Sequence, residues 1–168
     1  LICPWASRAL IGRALKGLVA AIEAVVVEPE LGAQGWRFGT GAPRGLAPCA
    51  DPELGATWMH EIYTAAAPRV CGRATVPVLW DTVRRTIVNN ESADILRMLN
   101  TGFGALASDA FDLCPADLRE PIEALNAEVY AALNNGVYRA GFATTQGAYE
   151  DAVADVFAML GRLDARLA

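Results

Sequence analysis

Val76-Pro77-Val78-Leu79-Trp80-Asp81, followed after a polar turn by Thr86-Ile87-Val88-Asn89-Asn90-Glu91-Ser92, is the stretch that decides the fold. Residues 74–80 read as a strand, 81–85 as a turn, and 86–88 as the start of a returning strand, so the segment is a β-hairpin. The chain then changes period. Ile95, Leu96 and Leu99 fall on one face of a helix running from Ser92 to Leu99.

Upstream, residues 58–66 read as a short helix. Residues 29–56 are rich in Gly, Pro and Ala and read as a long surface loop, of a length that often lines a site. Ile22 to Val27 is a β-branched run closed by Glu28-Pro29, the pattern of a buried strand. Residues 4–18 carry Trp5, Ala9, Leu10, Arg13, Ala14 and Leu18 at helical spacing, with Gly17 near the end. The order is helix, strand, helix, hairpin, helix, a thioredoxin-like arrangement without its first strand. That strand belongs before Cys3, where only Leu1 and Ile2 stand, so the expectation is an N-terminal fragment.

Composition shifts near residue 100. Residues 101–116 read as a linker between a first domain, 1–100, and a helical one, 117–168. A helix over 118–134 carries Ile122, Leu125, Val129 and Leu133 on one stripe, and a second over 146–166 carries Tyr149, Ala152, Val153, Val156, Phe157, Leu160 and Leu163. Asn134-Asn135-Gly136 breaks the first helix. Two helices bury little by themselves, so further helices are expected beyond Ala168. The fold class is α+β: a thioredoxin-like domain followed by a truncated all-α domain.

Bulk numbers exclude several classes. The 168 residues are 54% hydrophobic, enough for a core, and carry a net charge of −5. An acidic chain without basic clusters does not suit nucleic acid. No apolar run approaches the roughly 20 residues of a membrane span. The four cysteines show no C-x-x-C spacing and there is one histidine, His60, so no metal site is expected. Sparse cysteines in a chain this long argue against a secreted disulfide framework and for a reducing cytoplasm.

Cys3 is the candidate nucleophile. It precedes Pro4 at the head of the first helix, where a thiol meets unpaired backbone N–H groups and the positive end of the helix dipole. Such a setting favours a reactive thiolate. A buried structural cysteine is the alternative. Glu91-Ser92 lies where a strand hands over to a helix. Ser92, with the helix N-terminus, suits a carboxylate, and Glu91 suits an ammonium group; plain helix capping is the alternative. Trp36 sits in a Gly-rich loop with few core partners. His60 reads as a polar contact on its short helix, and Cys49, Cys71 and Cys114 as incidental.

Six segments together resemble the Xi-class glutathione transferases, the glutathionyl-hydroquinone reductases. They are Cys3-Pro4-Trp5-Ala6, Leu15-Lys16-Gly17-Leu18, Gly35-Trp36, Val76 to Asp81, Ile87 to Ser92, and Asn134-Asn135-Gly136-Val137-Tyr138-Arg139-Ala140-Gly141-Phe142-Ala143-Thr144-Thr145-Gln146. The resemblance covers essentially the whole chain, and the last segment is long and specific. It implies a glutathione-dependent reductase with Cys3 as the catalytic thiol and glutathione as co-substrate. A glutathionyl-hydroquinone is the implied substrate and a homodimer the implied full-length assembly.

The resemblance also implies a cis Val76-Pro77 bond, with the Val76 backbone pairing glutathione as an added strand would. It places Trp36 against glutathione and the γ-glutamyl end at Glu91 and Ser92; Arg73 or Arg37 suits the glycyl carboxylate through a bidentate contact, with plain surface solvation the alternative for either. Trp5 would flank the thiol and Tyr138 would face the quinol, with Tyr130 a lesser candidate. Family members commonly carry histidine where this chain has Ser7, and a small hydroxyl residue at Cys71. Two other readings stay open. One is a broader omega-like thiol-transferase or dehydroascorbate reductase; the other is a non-catalytic glutathione-binding fragment.

Overall fold

The computed structural model describes residues 3–42, 45–108 and 110–168. It divides into two compact units, Leu1–Leu113 and Cys114–Ala168.

The first unit begins with α1, Pro4–Leu15, which has Pro4 at its first position, where the missing N–H costs no helical bond. The helix ends three residues earlier than expected. Gly17 takes φ +68°, a left-handed conformation that favours glycine, and Arg13 gathers the following turn by donating to the carbonyls of Val19 and Ile22 at 2.8 and 2.6 Å.

The expected strand at 22–27 is displaced. Residues 23–26 lie outside any strand, with Val26 bonded through its N–H and carbonyl to Cys49, and β1 runs Val27–Gly32. It pairs antiparallel with β2, Gly35–Phe38, placing Leu31 opposite Trp36. Part of the expected long loop is therefore a hairpin. Its composition concealed this, because Gly and Pro mask the short alternation. After it comes α2, Met59–Ala66.

The second ribbon joins β3, Leu79–Asp81, to β4, Thr86–Asn89, with Trp80 opposite Ile87. β3 is shorter than the expected 74–80 strand, and Pro77 has no N–H to give a ladder. Next is α3, Ser92–Thr101.

Leu18, Ile95 and Leu99 form one core cluster under α1 and α3, while Phe38, Met59 and Ile62 form another. Residues 22–27 and 76–80 line an apolar cavity of about 980 Å³, and the two ribbons are separate two-stranded sheets. Residues 103–113, expected as linker, belong to this unit. Asn100 donates to Asp112 and accepts from the Leu113 N–H at 2.8 and 2.9 Å. Buried Lys16 donates to the Phe111 carbonyl at 2.7 Å.

The second unit holds α4, Arg119–Val129, a π-helical turn at Tyr130–Asn134, α5, Gly136–Gly141, and α6, Gln146–Leu167. Asn134-Asn135-Gly136 does not stop the chain's helical course. The π-turn absorbs it, with the Asn135 N–H bonded to the Tyr130 carbonyl at 3.0 Å. Gly136 lets α5 close on α6: a Cβ there would lie 2.7 Å from Val156 Cγ2. Arg139 bridges to Asp155 at 3.1 Å, and Arg162 pairs with Glu128. Phe142, Phe157 and Leu167 remain largely exposed.

Candidate active site

Cys3 caps α1, with extended backbone and no side-chain capping bond of its own. Its Sγ lies 3.8 Å from the Val76 carbonyl, to which it donates. The Val76–Pro77 bond is cis. Val76 N–H has no hydrogen-bond partner among the described residues, so one backbone donor stands beside the thiol ready for an extended ligand. Ser7, at the family's usual histidine position, donates from Oγ to the Cys3 carbonyl at 3.1 Å. It thereby bonds back one turn along the helix rather than toward the thiol.

The loop before Pro77 is fixed from two sides. Tyr63 on α2 donates to the Thr75 carbonyl at 2.9 Å and accepts from the Thr75 N–H at 3.3 Å. Asn90 donates from Nδ2 to Thr75 Oγ1 at 3.0 Å. The second bond ties the Val76 segment to the start of α3, where Asn89 Oδ1 accepts from the Glu91 N–H at 2.7 Å.

Glu91, not Ser92, is the N-cap of α3: its carboxylate accepts from the Ala93 N–H at 3.2 Å. Ser92 is 2% exposed. Its hydroxyl accepts from Arg8 Nη1 at 3.2 Å and lies 3.4 Å from Glu91 Oε1. The Arg8 guanidinium sits 5.1 Å from the Trp5 ring centroid. Contacts and chain neighbours thus run as a ring: Cys3, Val76, Thr75, Asn90, Glu91, Ser92, Arg8, Trp5, and back through Pro4.

The remaining expected residues divide. Trp36 lies on β2 rather than in a loop, packs against the Phe38 cluster, and lines the same cavity as Cys3, Val76 and Pro77. Arg73 is exposed and has no ion pair among the described residues, whereas Arg37 pairs with Glu28 at 3.6 Å. Tyr138 belongs to the helical unit, its ring stacked on Phe142 at 6.4 Å.

Arg8, Asn89 and Asn90 stand inside the motifs around Cys3 and Glu91 but received no role of their own from the sequence, and Tyr63 and Thr75 received none; Tyr63 carries no signal there at all. Cys49 is not incidental to packing, being fully buried with Sγ accepting from the Val26 N–H at 3.3 Å. His60 Nε2 is buried without a partner among the described residues, where a polar contact was expected. No described cluster of His, Cys, Asp or Glu could hold a metal, and no described helix is long and apolar enough to cross a membrane.

The first unit is thioredoxin-like, with a cysteine capping its first helix opposite a Val–cis-Pro step. The chain belongs to the glutathione S-transferase family, whose N-terminal domain matches residues 2–101. Within that family its likeness is to the Xi class. It is 47% identical over 165 residues to the glutathionyl-hydroquinone reductase PcpF of Sphingobium chlorophenolicum, covering 98% of this chain and 51% of that protein. The glutathione-bound structure of YqjG, a glutathione transferase homolog from Escherichia coli K-12, superposes with a TM-score of 0.90 at 46% identity. That match covers 98% of this chain and 52% of that one. The Xi-class enzyme of Natrialba magadii gives 0.91 at 45% identity over 99% of this chain and 50% of its own. The chain spans about half the length of the relatives it matches.

Proposed function

We propose that this chain carries the glutathione-binding and thiol chemistry of a glutathionyl-hydroquinone reductase. The observation that carries the reading is the Cys3 thiol at the head of α1, 3.8 Å from the carbonyl of a Val76 whose N–H is unclaimed among the described residues. In the reaction, Cys3 sulfur attacks the glutathione sulfur of the aryl thioether. The S–S bond forms as the aryl C–S bond breaks; the bonding pair stays on the ring carbon, which takes a proton and leaves as hydroquinone. A second glutathione then attacks the Cys3–glutathione disulfide, giving oxidised glutathione and restoring the thiol.

The binding roles follow the polar groups around the ring. Val76 would pair with the cysteinyl backbone, Trp36 would lie along the tripeptide, and the γ-glutamyl end would sit at Glu91 and the N-terminus of α3. Arg73 is the better holder of the glycyl carboxylate, because Arg37 is already engaged by Glu28. Trp5 and Tyr138 are assigned to the quinol side. The reading carries with it a cytoplasmic setting, consistent with cysteines that form no disulfide among the described residues, and a homodimer for the full-length protein.

The test is mass spectrometry after exposure to a glutathionylated hydroquinone. Wild type should gain one glutathione on Cys3, and Cys3→Ser should gain none, with turnover below about a thousandth of wild type. Clear preference for a small glutathione mixed disulfide over the thioether would replace this reading with a general thiol-transferase.

A further inference from the structure

Resting on the glutathione reading above, we infer that Arg8 is a positioning residue for the γ-glutamyl carboxylate, acting through Ser92. Arginine can only donate hydrogen bonds, and a serine hydroxyl has one proton. Arg8 Nη1 donates to Ser92 Oγ at 3.2 Å, so the Ser92 proton must point away from Arg8. The acceptor it meets, Glu91 Oε1, is 3.4 Å away, which is long for a hydroxyl bond. That proton is loosely held, at the first residue of α3. A carboxylate arriving there is the stronger acceptor and takes it.

Two further features fit this role. Arg8 is held in place by the face of Trp5, 5.1 Å from the ring centroid. It is half-buried and pairs with no carboxylate among the described residues. Its charge is therefore uncompensated and lies behind a hydroxyl that is itself 2% exposed. The cation adds to the positive end of the α3 dipole at the spot where the ligand's negative charge would settle. Arg8 need not touch the ligand; it sets the hydrogen-bond polarity of the residue that does.

The experiment measures calorimetric affinity for glutathione and for cysteinylglycine, which lacks the γ-glutamyl group. The proteins are wild type, Arg8→Met, Arg8→Lys, Ser92→Ala and the Arg8→Met/Ser92→Ala double variant. Arg8→Met should weaken glutathione about tenfold and leave cysteinylglycine unchanged. Arg8→Lys should recover part of the loss, because it keeps the charge but not the fork. In the Ser92→Ala background the same Arg8 change should cost less than about twofold. Equal losses for both ligands, or the same loss with and without Ser92, would overturn the inference. Wild type that fails to bind glutathione better than cysteinylglycine would instead overturn the assignment of Glu91 and Ser92 on which it rests.

Discussion

Cys3 Sγ and the Val76 carbonyl meet at 3.8 Å although 73 residues lie between them. Each was singled out in the sequence for its own neighbourhood, Cys3 by the following proline and Val76 by the one after it. What could not be read was the second layer that aims them. Tyr63 holds both backbone groups of Thr75 with one hydroxyl, and nothing in a tyrosine on a short amphipathic helix advertises that. Tyr63→Phe should cost about 1 kcal/mol of stability and weaken glutathione binding several-fold, because the Val76 segment loses one of its two ties. Thermal melts and calorimetry together check this; unchanged affinity would show that Asn90 suffices alone. Ser92 was read as a cap or a ligand group and proved to be buried beneath its neighbours, with Glu91 as the cap. Adjacent polar residues at a helix start cannot be ranked without knowing which backbone takes the extended conformation.

At the scale of elements, the long helices were legible because 3.6-residue periodicity persists over several turns. The short strands were not, since three to six residues of alternation are easily hidden by Gly, Pro and bulges. α2 shows what sets such boundaries. The Glu61 carboxylate accepts from the Thr57 and Trp58 N–H groups at 2.6 and 3.0 Å, closing the helix start. The bonds from Trp58 and Thr57 hold its pKa below the ordinary carboxylate value. Its folded pKa is lowered, so its contribution is present above the unfolded value and lost as pH falls through the folded one. Glu61→Gln should therefore cost up to about 1 kcal/mol at neutral pH, reduced by solvent screening at this partly exposed position. The difference should vanish on acidification below the carboxylate range, as followed by thermal melts across pH. In the helical unit the close approach at Gly136 is equally specific. Gly136→Ala should destabilise α5 against α6 by about 1–3 kcal/mol, because the added Cβ would meet Val156 Cγ2 at 2.7 Å and a β-branched side chain is stiff at χ1. Chemical denaturation followed by far-UV circular dichroism measures it.

For the whole molecule, the first unit ends at Leu113 because side chains reach across the chain to hold residues 103–113. The composition shift near residue 100 suggested an earlier end. Asn100→Ala should cost about 1 kcal/mol, since it leaves the part-buried Leu113 tie unmade, and should raise hydrogen exchange in 103–113 well above that in α3. Exchange rising equally in both would mean the stretch is not separately anchored. The sequence by itself determined the long helices, the β3–β4 hairpin and the family, and singled out Cys3, because each depends on local period or on contiguous motif residues. Only the tertiary structure decided which groups surround that thiol: the Tyr63–Thr75–Asn90 brace, Arg8 behind Ser92, and the pairing of Arg37 that leaves Arg73 without an ion pair. Those are contacts between residues far apart in the chain. They exist only once apolar burial has brought α1, α2, α3 and the second ribbon together.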